Sequence, residues 1–138
     1  MRARYPRLRY VLGDVRDYDR LAAAVAGHDL VIHAAAVKRI PEAEQQPVNC
    51  IETNVYGSAN VVRACIASNE PRCVGISTDK ACASITCYGA SKKLMESVFQ
   101  HAPHGSTTFT LVRYGNVVAS NGSVIPLYIQ QIKENKQL

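Results

Sequence analysis

Residues 73–92, CVGISTDKACASITCYGASK, decide the fold of this chain. The stretch begins with an apolar run over residues 73–77, which predicts a buried β-strand. A polar turn follows, and Tyr88 then begins a segment with helical periodicity that we expect to continue to about Gln100. A short strand that leads into a helix is typical of a βαβ unit, in which successive strands run parallel.

The same alternation of short apolar runs and longer helical segments extends in both directions. The predicted strands are residues 8–12, 29–33, 73–77 and 107–113. The predicted helices are residues 18–26, 48–68, 88–100 and 124–133, with Asp17 as the first N-cap and Gly27 as its stop. Pro41 and Pro47 are assigned to a loop. We therefore expect an α/β fold, a partial Rossmann-like, doubly wound parallel sheet that forms a single domain over residues 1–138.

Composition and charge narrow the class of protein. The 138 residues are 47% hydrophobic and 20% charged, as in soluble globular domains. No apolar run approaches the roughly 18 residues of a membrane span, so we expect a cytoplasmic protein without a membrane partner. Arg2, Arg4, Arg7 and Arg9 supply most of the net charge of +5, and nucleic acid is not expected as a partner. The five cysteines lack metal-ligand spacing, which predicts reduced thiols and no metal site.

Residues that follow the predicted strands are the candidates for a site, because ligands of parallel sheets bind beyond the carboxyl ends of the strands. Small residues there let a flat ligand approach the backbone, and proton-active side chains stand among them. In chain order these residues are Gly13, Asp14 and Val15; Ala34, Ala35, Ala36 and Lys38; Thr78, Asp79 and Lys80; and Tyr114, Gly115 and Asn116.

Two pairs in the opening stretch could carry acid–base chemistry. Tyr88 and Lys92 are four residues apart, so they share a helix face, where the ammonium would lower the pKa of the phenol. Asp79 and Lys80 could be the acid and the base of an elimination if the pKa of the lysine is lowered. Each pair has an ordinary alternative: the Tyr–Lys spacing is close to chance, and an adjacent Asp–Lys is commonly a solvated ion pair.

Three further polar residues are open to a structural or a functional role. His33, at a strand end, is more simply a hydrogen-bonded core histidine than a ligand. Asn54 lies within a predicted helix, where its side chain has to bond either protein or ligand. Arg113 could pair with a phosphate or with a nearby acid.

Several separated motifs resemble one family. The segments GDVRD at 13–17, STD at 77–79 and YGASK at 88–92 are similar to those of the extended short-chain dehydrogenase/reductase superfamily. Within it, HAAAVKRIPEAEQQP at 33–47, ISTDKA at 76–81 and RYGNVVASNGSVIP at 113–126 resemble the soluble, inverting UDP-N-acetylglucosamine 4,6-dehydratases. Lys80 differs from the acidic residue of dTDP-glucose dehydratases, and Cys82, Ala83 and Ser84 depart from the usual Ala-Asn-Pro.

The resemblance implies a reaction on a UDP-sugar with NADP as cofactor and NAD as the alternative. Tyr88 would take the 4-hydroxyl proton while the cofactor accepts the C4 hydride. Lys80 would remove the C5 proton, Asp79 would protonate the departing 6-hydroxyl, and hydride would return to C6. Thr78 would bond near the 4-oxygen, and Lys92 would bind the nicotinamide ribose. The implied cofactor contacts are Asp14, Val15, Ala34, Ala35, Ala36, Lys38, Ser77, Tyr88 and Lys92, and the implied substrate contacts are Lys38, Asn116, Val117 and Ser123.

Two other functions stay open. A sugar-nucleotide epimerase or reductase of the same superfamily would use Tyr88 and Lys92 without needing Lys80. A non-catalytic binding or assembly module would need none of these side chains for chemistry.

The sequence contains no G-x-G-x-x-G turn of the kind that holds a pyrophosphate. This absence, taken with the resemblance, implies a central fragment without the first βαβ unit and the C-terminal substrate part, and the resemblance implies that the full-length enzyme is a homo-oligomer. Such a chain should bind NADP(H) poorly and turn over little. Calorimetric titration with NADPH tests this expectation, and a micromolar affinity would contradict it.

Overall fold

Three parallel strands form one sheet in the order β1–β2–β3. This computed structural model describes residues 8–69, 72–103, 105–119 and 124–134. The strands are β1, Val31–His33; β2, Arg72–Thr78; and β3, Thr108–Tyr114. The helices are α1, Tyr18–Val25; α2, Ile40–Gln45; α3, Pro47–Ile51; α4, Gly57–Ala67; α5, Cys87–Gln100; and α6, Val124–Lys133. A π-helical turn, Glu52–Tyr56, joins α3 to α4, and a 3₁₀ turn, Asp79–Ala81, follows β2.

The strand register brings the carboxyl ends of β2 and β3 to the same edge. Val31 pairs with Cys73, which pairs in turn with Phe109. At the far end Thr78 pairs with Tyr114, so both strands end side by side. The parallel pairing and the intervening helices confirm the predicted α/β fold.

The main core lies where α1, α4 and α5 pack on the sheet. It contains buried residues from α4, β2 and α5, among them Val61, Cys65, Cys73, Met95 and Phe99. The Phe99 ring stacks on His33 with centroids 6.0 Å apart and meets the edge of Phe109 at 5.8 Å. Such aromatic contacts hold the ring in one orientation.

The predicted strand at residues 8–12 is wrong. The described residues 8–14 form no regular element, and Leu12 is 91% exposed. A strand needs a hydrogen-bonded neighbour. Within the described part of the chain β1 pairs only with β2, so the outer edge of β1 has no strand beside it.

The loop predicted around Pro41 and Pro47 is also wrong, because the two prolines begin α2 and α3. Proline is tolerated in the first turn of a helix, where its missing N–H has no intrahelical acceptor. The helix predicted over 48–68 is confirmed, with the π-helical turn inside it. The other predicted helices and strands agree with the structure within two residues at each end. None of the helices in the described ranges has the length and apolar character needed to span a bilayer.

We expect Gly75→Ala to destabilise the fold by roughly 1–3 kcal/mol through overpacking. An added Cβ would lie 2.8 Å from Cε1 of Phe99 and 3.0 Å from Cδ2 of Leu111. Urea unfolding measures the loss. Gly105→Ala is the matched control, since nothing lies within 4 Å of a Cβ there. Equal unfolding midpoints for the two variants would contradict the prediction.

Candidate active site

Several predicted site residues meet in a pocket at the carboxyl ends of β2 and β3. Its volume is about 150 Å³, and its lining consists of Lys38, Thr78, Lys80, Tyr88, Tyr114, Gly115, Asn116 and Val117. Thr78 and Tyr114 are the last residues of the two strands, and Tyr88 comes from the first turn of α5. The pocket therefore combines one phenol that is buried with two lysines and a side-chain amide.

The chain after β2 places Asp79 and Lys80 side by side with both head groups engaged. The Thr78 hydroxyl donates to Oδ1 of Asp79 at 2.9 Å. Nζ of Lys80 lies 3.2 Å from Oδ1 of Asp79 and 3.2 Å from Oδ1 of Asn116. The hydrogen bonds from Thr78 and Lys80 lower the pKa of Asp79. Without ligand, Asp79 is therefore a carboxylate and has to gain a proton before it can donate one.

Tyr88 is buried, and burial raises its pKa, although a hydrogen bond with Thr78 acts in the opposite direction. Nζ of Lys92 donates to the Ile76 carbonyl at 2.6 Å and to Sδ of Met95 at 2.8 Å. The Lys92 ammonium is thus directed at the backbone of β2. The expected lowering of the Tyr88 pKa by Lys92 is wrong for this unliganded site, because the Lys92 ammonium is directed at β2 and desolvation of the phenol raises the Tyr88 pKa.

Burial also acts on Lys92 itself. It lowers the pKa of Lys92 to about 8, and the negative charge of Glu96 partly opposes that change. Lys92 therefore remains mostly charged at neutral pH while it lies within the protein, next to the helix turn that carries Tyr88.

Local capping explains why α5 begins where it does. The Thr86 side chain accepts from the Gly89 N–H at 3.0 Å, and Oε1 of Glu44 accepts from the Cys87 N–H at 2.7 Å. A Cβ at Gly89 would lie 2.7 Å from the Lys80 carbonyl oxygen. The absence of a side chain at Gly89 lets the 3₁₀ turn pack directly on α5, which brings Lys80 close to Tyr88.

Asn54 has a structural role in the unliganded protein. Its amide accepts from the Val37 N–H at 2.8 Å and donates to the Val37 carbonyl at 3.0 Å. It also donates to Oγ of Ser91 at 2.9 Å, and Ser91 donates to the Tyr88 carbonyl at 2.8 Å. This chain of hydrogen bonds fixes the segment before Lys38 relative to the first turn of α5.

His33 is a satisfied core histidine, as expected. Its Nε2 lies 2.8 Å from Oγ of Ser58, which donates its own proton to the Asn54 carbonyl at 2.6 Å. The proton between the two side chains must therefore be on Nε2. Burial, with a smaller effect from Lys92, lowers the pKa of His33 to about 4.

Arg113 pairs with an acid inside the protein, which resolves the two alternatives for this residue. Its Nε and Nη2 atoms lie 2.6 Å and 2.5 Å from the two carboxylate oxygens of Glu96. The Ser77 hydroxyl donates to Oε1 of Glu96 at 2.6 Å. Ser77 thus has its side chain engaged, so that only its backbone is available for the predicted cofactor contact.

The loop that contains Asp14 and Val15 does not contribute to the lining of this pocket and packs on α4 instead. Arg16 binds both carboxylate oxygens of Asp14, at 3.0 Å and 2.7 Å, and these bonds lower the pKa of Asp14 to about 2. Nδ2 of Asn60 donates to the carbonyls of Val15 and Arg16, both at 3.1 Å. A Cβ on Gly57 would lie 2.6 Å from Cγ2 of Val15, so glycine permits this close packing of the loop on α4.

The remaining predicted residues are distributed as follows. Ala34, Ala35 and Ala36 continue from β1 in extended chain and are exposed or half-buried. Val117 lines the pocket, whereas Ser123 lies outside the described residues. Among the described residues no group of three or more metal-binding side chains occurs.

Sequence reasoning missed three residues that support the site: Glu44, Asn60 and Glu96. For Glu96 a signal existed, because positions 88, 92 and 96 are spaced by four and share one face of α5. A carboxylate on that face required a buried partner. Glu44 and Asn60 bond to backbone atoms more than 40 residues away, which local spacing does not indicate.

A model of the polysaccharide biosynthesis protein family matches residues 2–138. The chain belongs to this family. The inverting UDP-N-acetylglucosamine 4,6-dehydratase of Campylobacter jejuni is 46% identical over 133 residues, which cover 94% of this chain and 40% of the dehydratase. A UDP-glucose 4-epimerase of Rickettsia akari is 44% identical over 137 residues, which cover 96% of this chain and 40% of the epimerase.

The fold is found in solved structures of similar sequence. The X-ray structure of Pen from Bacillus thuringiensis has a TM-score of 0.89 at 40% identity, over 97% of this chain and 44% of Pen. The predicted Rossmann-like fold and the extended short-chain dehydrogenase/reductase type are thereby confirmed. The chain spans about 40% of the length of the curated relatives it matches.

We expect His33 to stay neutral down to about pH 4. The unfolded chain, in which the pKa is near 6.5, binds more protons between pH 6.5 and 4. Stability should therefore fall by roughly 3 kcal/mol as the pH drops through this window. NMR of the imidazole nitrogens follows the titration, and His33→Gln should lose this part of the pH dependence. An imidazole that titrates above pH 6 in the folded protein would contradict the assignment.

Proposed function

We propose that this site performs the acid–base steps of an inverting UDP-N-acetylglucosamine 4,6-dehydratase. One observation carries the proposal: the Lys80 ammonium is held between Asp79 and Asn116 in the pocket that contains Tyr88. Removal of a C5 proton and loss of a 6-hydroxyl require a base and an acid next to each other. Relatives with this activity, at 46% identity, support it.

The nicotinamide cofactor is proposed as NADP, with NAD possible. When bound, it would accept hydride from C4 and return hydride to C6. The residues proposed to hold it are Asp14, Val15, Ala34, Ala35, Ala36, Lys38, Tyr88 and Lys92, together with the backbone of Ser77. The small side chains after β1 and the buried Lys92 fit a flat ring that lies against the sheet edge.

Tyr88 is proposed to take the proton of the 4-hydroxyl. Because burial raises the pKa of Tyr88, its base form is scarce in the unliganded site at neutral pH. Lys38 and Lys80 line the same pocket, and a cation near a phenol favours its phenolate form. The first step should therefore become faster as the pH rises toward the pKa of Tyr88.

The ion pair of Lys80 and Asp79 can produce both catalytic forms by itself. Transfer of one proton along their 3.2 Å hydrogen bond converts the ammonium to an amine and the carboxylate to a carboxylic acid. The amine then removes the C5 proton, and the acid protonates the departing 6-hydroxyl, which leaves as water. Both groups return to the charged pair, so the elimination needs no proton from solvent.

The proposed substrate contacts are Lys38, Asn116, Val117 and Ser123. Lys38 and Lys80 give the pocket a positive charge that suits an anionic UDP-sugar. The full-length enzyme is proposed to be cytoplasmic and homo-oligomeric, and the product class fits the synthesis of surface glycans.

An epimerase is the second candidate, favoured by the 44% identity to UDP-glucose 4-epimerases. An epimerase would oxidise C4 with Tyr88 and Lys92 and would return the hydride to C4. It has no need for a base at C5, so Lys80 distinguishes the two reactions.

We expect Lys80→Ala to reduce dehydration by about 100-fold or more while C4 oxidation is retained, because the C5 base is lost. Because we expect little turnover, the reactions are run as single turnovers, with the chain in excess over UDP-N-acetylglucosamine and NADP⁺. Mass spectrometry measures the 4-keto-6-deoxy product. Lys93→Ala, which removes an exposed ammonium from α5, is the matched control. Undiminished dehydration in Lys80→Ala would contradict the proposed base.

Binding can be tested apart from turnover. We expect UDP-N-acetylglucosamine to shift the amide resonances of Lys80, Asn116 and Val117 in NMR spectra, because these residues line the pocket. Lys38→Ala should weaken that response through loss of a cationic contact. Shifts confined to residues remote from the pocket would oppose the proposed substrate site.

A further inference from the structure

Glu96 is a carboxylate almost completely enclosed by protein. Its side chain is 1% exposed, and it accepts hydrogen bonds from Arg113 through two nitrogens and from the Ser77 hydroxyl. Nζ of Lys93 lies 3.9 Å from Oε2. A buried charge of this kind is tolerated only when its partners are well placed, since desolvation costs several kcal/mol per ion.

The partners of Glu96 each adjoin a part of the proposed site. Ser77 directly precedes Thr78 at the end of β2, and Arg113 directly precedes Tyr114 at the end of β3. Arg113 also places Nη1 3.3 Å from Sγ of Cys82, just beyond the 3₁₀ turn that contains Lys80. Glu96 itself lies one helical turn beyond Lys92 and two turns beyond Tyr88 on α5.

We propose that Glu96 is a positioning residue, whose carboxylate holds the Tyr88–Lys92 face of α5 in register with the ends of β2 and β3. The proposal rests on the proposed function, because those strand ends carry the acid–base pair and Asn116. Bidentate pairing is directional, so it fixes both the distance and the rotation of α5 relative to β3. Tyr88 is carried by α5 and Asn116 follows β3, so their mutual placement depends on this contact, whereas Lys80 is also positioned by the packing of Gly89 on the 3₁₀ turn.

Glu96 has a second, electrostatic effect on the site. Lys92 is surrounded by the neutral His33 on β1, the Ile76 carbonyl on β2 and Met95 on α5. The charge of Glu96 opposes the desolvation that lowers the pKa of Lys92. Without that charge, less of Lys92 would be an ammonium at neutral pH.

The test compares three variants of this chain. Glu96→Gln removes the charge and keeps the size, Glu96→Asp keeps the charge and breaks the bidentate fit, and Lys93→Gln changes an exposed neighbour as the control. NMR of isotopically labelled lysine measures the titration of Lys92. Nuclear Overhauser contacts between the Tyr88 ring and Thr78 report the placement of α5 relative to the end of β2, since the two side chains line the same pocket.

We expect Glu96→Gln to move the titration of Lys92 below about 8 and to weaken the Tyr88–Thr78 contacts. Glu96→Asp should keep the titration near that value but still disturb the contacts, and Lys93→Gln should change neither. A folded Glu96→Gln protein with unchanged Lys92 titration and unchanged contacts would overturn the proposal and leave Glu96 a purely structural residue.

A second variant covers the case in which Glu96→Gln does not fold. Arg113→Lys keeps a cation beside Glu96 but removes the planar guanidinium that makes two hydrogen bonds, so it should disturb the Tyr88–Thr78 contacts and leave the Lys92 titration unchanged. Undisturbed contacts in folded Arg113→Lys would equally overturn the positioning role. These readouts need no turnover, so absence of dehydratase activity would refute the proposed function without affecting them.

Discussion

The packing of α5 across β2 is the constraint on which the rest of the structure depends. At one end of the contact, Phe99 lies over Gly75, where any side chain would collide with the ring. Toward the other end, Ser77 is bonded to Glu96, and Lys92 is bonded to the Ile76 carbonyl. Apolar packing sets the distance between helix and sheet, and the polar contacts set the rotation, so Tyr88 has little freedom relative to the strand ends.

The electrostatics of the pocket follow from this arrangement. Two lysines, Lys38 and Lys80, line a small pocket, and the acids near the site are already hydrogen-bonded. Glu96 is bound by Arg113, and Asp79 is bound by Thr78 and Lys80. The two lysines therefore suit an anionic ligand. In the unliganded site, the acid and the base of the proposed elimination are both charged, and each has to change its protonation state before it can act. In the proposed elimination, a proton shift from Lys80 to Asp79 would activate the pair, and a bound sugar nucleotide would promote that shift by excluding water.

The sequence predicted most of the fold because the strands and helices are encoded locally. The apolar run at 73–77, the helical spacing from Tyr88 onward and the capping residue Asp17 each indicate an element without reference to distant residues. The two errors have physical causes. Residues 8–12 have strand-like composition but no neighbouring strand in the described part of the chain, and pairing is not a property of one segment. A proline in the interior of a helix breaks it, whereas a proline in the first turn is tolerated. Pro41 and Pro47 lie in first turns, but the presence of a proline in the sequence does not show which case applies.

The sequence alone indicated that the residues after β2 and β3 would lie at one edge, because parallel strands end at the same edge whatever their packing; it did not do so for Asp14 and Val15, since the strand expected before them is absent from the described residues. The sequence also indicated acid–base chemistry, since side chains such as those of Asp79, Lys80, Tyr88 and Lys92 can donate or accept protons. Only the tertiary structure decided the state of those groups. Burial raises the pKa of Tyr88, and hydrogen bonds keep Asp79 as a carboxylate. The Lys92 ammonium donates a hydrogen bond to the Ile76 carbonyl of β2. The reason is that a pKa depends on solvent exposure and on neighbours from other elements, such as Glu96 and Arg113, whose proximity no local spacing encodes.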